Sequence, residues 1–249
     1  MHASPAVSDS VAAKKKLSLG QLVAYSTLQL PLAMAALPVV LNVSHFYGEV
    51  LKVPLGIMGA IFIAARVVDA IQDPVIGLIS DRFTRRGPRG RLTFVALMIP
   101  ILIAGFYMLF DPPDSMIGNP TSMAIWLMAA LLLVHLGYSG VSISYHAHGA
   151  ELSDDYNERT KVTVGREVFG LTGMTFAVVL PTLLIKWLGE EGGYVALGLV
   201  FLPVTLLFCA PTLLRGPGSV HPPVLHADRN PFAPFFAPLK NPLAAPEMK

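Results

Sequence analysis

The chain is poor in cysteine and in charge. Cys209 is the single cysteine among 249 residues, and it sits inside an apolar run, so an intrachain disulfide framework is excluded. Charged residues make up only 14% of the chain, against about 25% in a soluble domain. A cleavable signal is also missing. The opening MHASPAVSDSVAAKKK is polar and rich in small residues, and the apolar segment after its lysines is too long for a signal core. No nucleic-acid partner is expected. A 53% hydrophobic share is left, which is the composition of an integral membrane protein, with the lipid bilayer as its partner.

Six apolar segments are each long enough for the roughly 20 residues that a bilayer crossing needs: 19–45, 53–80, 91–110, 122–149, 162–187 and 192–214. All six are read as helices, because strands of a membrane barrel are about half as long and alternate polar with apolar. This gives an all-α membrane protein, a six-helix transmembrane bundle over 19–214. A tail precedes it at 1–18, and a proline-rich linker follows at 215–249, where no long helix is expected. Lysine and arginine set the orientation. Lys14–Lys16, Arg82–Arg91, Arg159, Lys161 and Arg215 fall on one side, with only Lys52 and Lys186 near the other. Both termini are therefore expected in the cytoplasm of a multi-pass protein of the plasma or inner membrane.

The second segment carries charge where apolar residues should stand. Arg66, Asp69 and Asp73 are three and four residues apart, so a helix aligns them on one face, and Gly77 and Asp81 continue the stripe. A charge at mid-bilayer costs about 2.5–3.5 kcal/mol even on the lenient insertion scale. Three in two turns are expected to face a protein-lined cavity. Counted from the cytoplasmic end, Asp73 lies about 12 Å and Asp69 about 18 Å deep, which brackets the midplane. Transporters bind ligand and coupling ion at that depth.

Elsewhere two readings stand side by side. Pro31, Pro38 and Pro74 suit helices that bend, and proline is also simply common in membrane helices. Tyr138, Ser139, Ser142, Ser144, Tyr145 and His146 give the fourth segment a wet face, although serine also glues helices together. Arg166 and Glu167 are either a functional pair or an interfacial ion pair that snorkels. The arginines from Arg82 to Arg91 satisfy topology in any case. Asp81, at a helix end where the dipole opposes it, is expected to pair with a nearby arginine or with another helix's amino end. A zinc enzyme is not supported. His146 and His148 lie about 200° apart on a helix, and His148 with Glu151 falls short of three ligands.

ARVVDAIQDPVIGLISDR resembles helix two of the glycoside–pentoside–hexuronide:cation symporters, the melibiose permease group of the major facilitator superfamily. GLISDRFTRRG resembles the superfamily signature between helices two and three, and HGAELSDDYNERTKV the symporters' loop between helices four and five. The resemblance implies a secondary transporter, not an enzyme, without a cofactor and with Na⁺ or H⁺ as coupling ion. It implies cation ligation by Asp69 and Asp73 with Ser139 completing the site, a helix-two arginine at Arg66, and a gating signature at Gly77, Asp81, Arg82, Arg85 and Arg86. The positions that hold sugar in the melibiose permease fall at Thr27 and Ser142, which are uncharged here. Tyr145, His146 and Arg166 complete the implied substrate wall, so a sugar or glycoside is expected but not the galactoside pattern.

Full members of that group have twelve helices in two halves. The expectation here is the N-terminal half of such a fold, read as truncated. The alternatives are a half-size protein that works only with a second half or a second copy, and a transporter of lysolipid type.

Overall fold

The computed structural model describes residues 17–220; most of the expected tail at 1–18, residues 1–16, and most of the linker, 221–249, lie outside the described residues. The secondary structure of the described residues is helical throughout. Helices α1 (Leu19–Ser26) and α2 (Gln29–His45) lead into a π-helical turn, Phe46–Val50. Then come α3 (Leu55–Thr84), α4 (Gly90–Phe110), a short 3₁₀ turn at Asp114–Met116, α5 (Pro120–Ala150) and α6 (Tyr156–Arg215). By length and composition, five stretches among the described residues are able to cross a membrane: Leu19–Val50, α3, α4, α5 and α6.

Local chemistry sets the helix ends. Ser18 Oγ accepts from the Gln21 N–H while Gln21 Oε1 accepts from the Ser18 N–H, both at 3.2 Å, a reciprocal cap that starts α1. Asn119 Oδ1 accepts from the N–H groups of Thr121 and Ser122 with Pro120 in the first turn of α5, where its missing N–H costs nothing. Asp155 does the same for α6.

The first segment, expected as one helix over 19–45, is two. Pro31 has no N–H for the Thr27 carbonyl four residues back, and the Leu30 N–H takes that carbonyl at 3.1 Å instead. The helix tightens and breaks at Thr27–Leu28. Pro74, by contrast, leaves α3 unbroken.

At 60 residues, α6 is not one rod. Gly189 has φ 80°, in the left-handed region, and ψ 174°. A Cβ on Gly193 would stand 2.6 Å from Ile185 Cα. Eight residues along one helix are about 12 Å apart, so the chain folds back at Gly189 into two arms, 156–188 and 190–215.

The interior lies between α2, α4, α5 and the second arm of α6. Toward the Gly189 end it holds a ring cluster of Phe46, Phe106, Phe110, Tyr194 and Phe201, with Phe106 and Phe201 stacked at 4.0 Å. Phenol and indole groups there find backbone partners: Tyr47 donates to the Leu109 carbonyl and Trp126 to that of Met108. Helices α4 and α5 meet through glycine. A Cβ on Gly137 would fall 2.3 Å from Leu102 N, and one on Gly105 would fall 2.4 Å from Val134 N. Only bare backbone permits that approach. At the opposite end of the bundle the two ends of the described chain meet. Leu17 N–H donates to Glu158, Ser219 N–H to the Pro88 carbonyl, and Val220 N–H to that of Glu151.

Replacing Gly137 with alanine is therefore expected to force α4 and α5 apart and to cost about 1–3 kcal/mol, the range for overpacking. A lower thermal unfolding midpoint of the purified protein in detergent is the check, with Gly77→Ala, which faces open space, as the neutral comparison.

Candidate functional site

Helix α3 packs on its neighbours along a narrow strip, with Met58, Ile61, Ala65, Ile76 and Ser80 buried and Ile63, Val67, Ile71 and Ile79 exposed. Its charged stripe borders a cleft of about 260 Å³ between α2, α3 and α5. Arg66, Asp69 and Asp73 form one wall, Ala35, Ala36, Val39 and Val40 of α2 a second, and Val134, His135, Tyr138 and Ser139 of α5 the third. Asp69 is the fifteenth of the 30 residues of α3, so the carboxylates sit about halfway along that helix.

The two oxygens of Asp69 differ. Oδ2 lies 3.3 Å from His135 Nδ1 and 3.6 Å from Arg66 Nη1. Oδ1 is buried without a hydrogen-bond partner in the chain, and so is Asp73 Oδ1. The Asp69 side chain is 15% exposed whereas that of Arg66 is 67% exposed, so the guanidinium reaches out of the cleft mouth. Buried carboxylate oxygens without donors are costly, and two acidic residues lining one cleft are suited to a small cation. Their donor type fits Na⁺, a hard ion that takes oxygen ligands, and an acidic pair of this kind can equally carry a proton.

Of the residues singled out by sequence, Arg66, Asp69, Asp73 and Ser139 come together in this cleft. Thr27 and Tyr145 do not. Thr27 Oγ1 donates to the Ala24 carbonyl at 3.0 Å, and the fully buried Tyr145 donates to the Tyr25 carbonyl at 3.1 Å. Thr212 Oγ1 reaches both carbonyls, at 2.8 and 3.1 Å. These hydroxyls supply hydrogen bonds at the break between α1 and α2, a packing duty that replaces the substrate contact expected of Thr27 and Tyr145.

Ser142 and His146 lie one and two turns beyond Ser139 on the same face of α5, with His146 Nδ1 2.7 Å from the Ser142 carbonyl. Arg166, on the first arm of α6, stands 5.9 Å from the centre of the Tyr145 ring, its Nε buried without a partner. It makes no ion pair with Glu167, so the snorkelling pair is not formed.

The signature at the far end of α3 is realised by residues other than those expected. Asp81 does pair with an arginine, but with Arg91, whose Nη1 lies 2.8 Å from Asp81 Oδ1. Arg91 is 6% exposed and also binds Glu151 through Nε and Nη2, and Ser80 through Nη1. Among the described residues Arg82, Arg85 and Arg86 make no ion pair; Arg86 lies over the Phe83 ring. Gly77 faces open space.

Sequence reasoning missed His135 and the pairing of Arg91 with Glu151. His135 was within reach, because it lies four residues before Ser139 and so on the same helical face. Arg91 and Glu151 are 60 residues apart, and no local pattern joins them.

A sequence model of the family described as MFS/sugar transport protein matches residues 22–214. Among curated proteins, an uncharacterised symporter of Synechocystis is 28% identical over 64% of this chain and 30% of its own length. The inner membrane symporter YicJ of Escherichia coli is 31% identical over 69% of this chain and 38% of its own length. The uncharacterised symporter YjmB of Bacillus subtilis is 29% identical over 62% and 34% respectively. The matched stretch thus spans about a third of the length of each of these relatives.

The hydroxyls at the helix break carry a prediction of their own. Tyr145→Phe and Thr212→Val should each lower stability by about 1 kcal/mol, the usual worth of one hydrogen bond. Together they should cost more than the sum, since both serve the Tyr25 carbonyl. Denaturant unfolding in detergent reads the stability, and Na⁺ titration should show cation binding unchanged.

Proposed function

From the premise that this chain belongs to the MFS/sugar transport protein family, we propose that it forms the N-terminal half of a transporter that moves a sugar or glycoside across the membrane together with Na⁺ or H⁺. Members of this family are transporters and not enzymes, and its symporter relatives imply a coupling ion. One observation carries the reading: two carboxylates halfway along a membrane-length helix, each with a buried oxygen that has no hydrogen-bond partner among the described residues, border a shared cleft. Asp69, Asp73 and Ser139 hold the ion. Arg66, Ser142, His146 and Arg166 are the solute contacts on this half. Asp81, with Arg91 and Glu151, closes the end of the bundle.

The same reading counts six crossings. The fold-back at Gly189 divides α6 into two spans, and an even number agrees with the meeting of Leu17 and Val220 at one end. Lysine and arginine place that end in the cytoplasm. The cleft has walls on α2, α3 and α5 only, and Arg66 projects from its open side. That exposed charge favours a second half opposite, of the kind the greater length of the relatives provides.

The test is uptake of labelled glycosides into proteoliposomes that hold the chain, alone and with the C-terminal half of a relative. Uptake should rise with an inward Na⁺ or H⁺ gradient. Asp73→Asn should reduce it by at least about tenfold, since a charged ligand worth roughly 1.5–3 kcal/mol is lost. Uptake indifferent to both gradients, or untouched by Asp73→Asn, would overturn the proposal.

A further inference from the structure

His135 stands at the cation cleft with nothing yet assigned to it. Its ring is 14% exposed, it borders the cleft beside Asp69 and Ser139, and it also borders a second cleft of about 230 Å³ shared with Arg66, Ser44 and Phe62. The imidazole approaches one oxygen of Asp69, the oxygen that Arg66 also approaches, and leaves the other free. Nδ1 lies 3.3 Å from Oδ2 but off the line of an N–H···O bond. Closing that bond would take a turn of the imidazole about its second torsion, which is broad for histidine.

We infer that His135 is a positioning residue for the coupling ion: as the neutral Nδ1–H tautomer it holds Asp69 Oδ2 and aims Oδ1, with Asp73 Oδ1, at a single monovalent cation. This rests on the cation-coupled reading above. Three features support it. The free oxygens are one from each carboxylate, so the ion bridges the two turns of α3. A hydrogen-bonded partner on the far oxygen fixes the rotation of a ligating carboxylate, as outer partners do at metal sites generally. The charge also matches, because two carboxylates beside one guanidinium carry a formal charge of −1. One monovalent cation neutralises that charge. A divalent ion would leave a net positive charge on this group of three side chains. His135 sets the geometry and Arg66 the valence.

The experiment is calorimetric titration of the purified 249-residue chain in lipid nanodiscs with Na⁺, at constant ionic strength and at about pH 8, where imidazole is neutral. His135→Ala should weaken Na⁺ binding by about 10–100-fold, and His135→Asn, whose amide N–H stands near the place of Nδ1–H, should recover to within about threefold of the parent. Arg66→Gln should gain Ca²⁺ binding that the parent lacks, a gain that a misfolded protein does not give. Equal Na⁺ affinity in the alanine variant, equal loss in the alanine and asparagine variants, or no Ca²⁺ binding in Arg66→Gln overturns the inference. So does a parent chain that binds no Na⁺. In that last case, uptake driven by a proton gradient shows that coupled transport stands without it, while uptake driven by neither ion removes both.

Discussion

Carboxylates halfway along a membrane helix set the terms for everything around them. A lipid-facing aspartate costs several kcal/mol, so α3 cannot be packed like the other helices. It keeps Asp69 and Asp73 in the cleft beside α2 and α5, and its burial is confined to a strip that includes Met58, Ala65 and Ile76. The helix is held by little apolar contact for its length. Polar contacts add to it: Asp81 with Arg91 at one end, and Asp69 beside His135 of α5 midway.

Opposite α3, the need to satisfy backbone groups away from water governs the first segment. A proline inside a membrane helix is tolerated when neighbouring groups supply the missing bonds. Here Leu30 N–H takes the carbonyl that Pro31 leaves, and the hydroxyls of Thr27 itself, of Tyr145 on α5 and of Thr212 on the second arm of α6 meet the carbonyls of Ala24 and Tyr25. Tyr25 returns the bond by donating to the Tyr145 carbonyl at 2.6 Å. The break joins three segments that are far apart in the chain, and it brings α2 to the wall of the cleft.

Much of this was legible in the residues. Apolar runs marked α3, α4 and α5 to within four positions, because length and hydrophobicity are nearly sufficient in a bilayer. The stripe of Arg66, Asp69 and Asp73 followed from spacing alone, since a single straight helix carries all three. Legibility failed where the partner comes from elsewhere in the chain. Whether a hydroxyl lines a cavity or bonds a carbonyl is decided by the helix that lies opposite, and so Thr27 and Tyr145 looked like substrate contacts. Arg91 stood out no more than Arg82, Arg85 or Arg86, although burial against Glu151 sets it apart. The break at Thr27–Leu28 was marked by Pro31 but not distinguished from Pro74, because the effect of a proline depends on what its neighbours can absorb.

The unbroken course of α3 connects the cleft with the end of the bundle. Asp73 and Asp81 are eight residues apart on the same helix, about 12 Å, and the helix runs on through Pro74 and Gly77 between them. A rotation or shift of α3 that repositions Asp73 is therefore carried to Asp81. There the carboxylate shares Arg91 with Glu151, and the Glu151 carbonyl in turn holds Val220, while Arg89 holds the carbonyls of Leu213 and Gly216. Because Arg91 is buried, the loss of either acidic partner leaves its charge poorly compensated, so the network favours one arrangement or a wholesale exchange over gradual change. A shift of α3 at the cleft therefore acts on the same network that holds the Val220 end of the described chain.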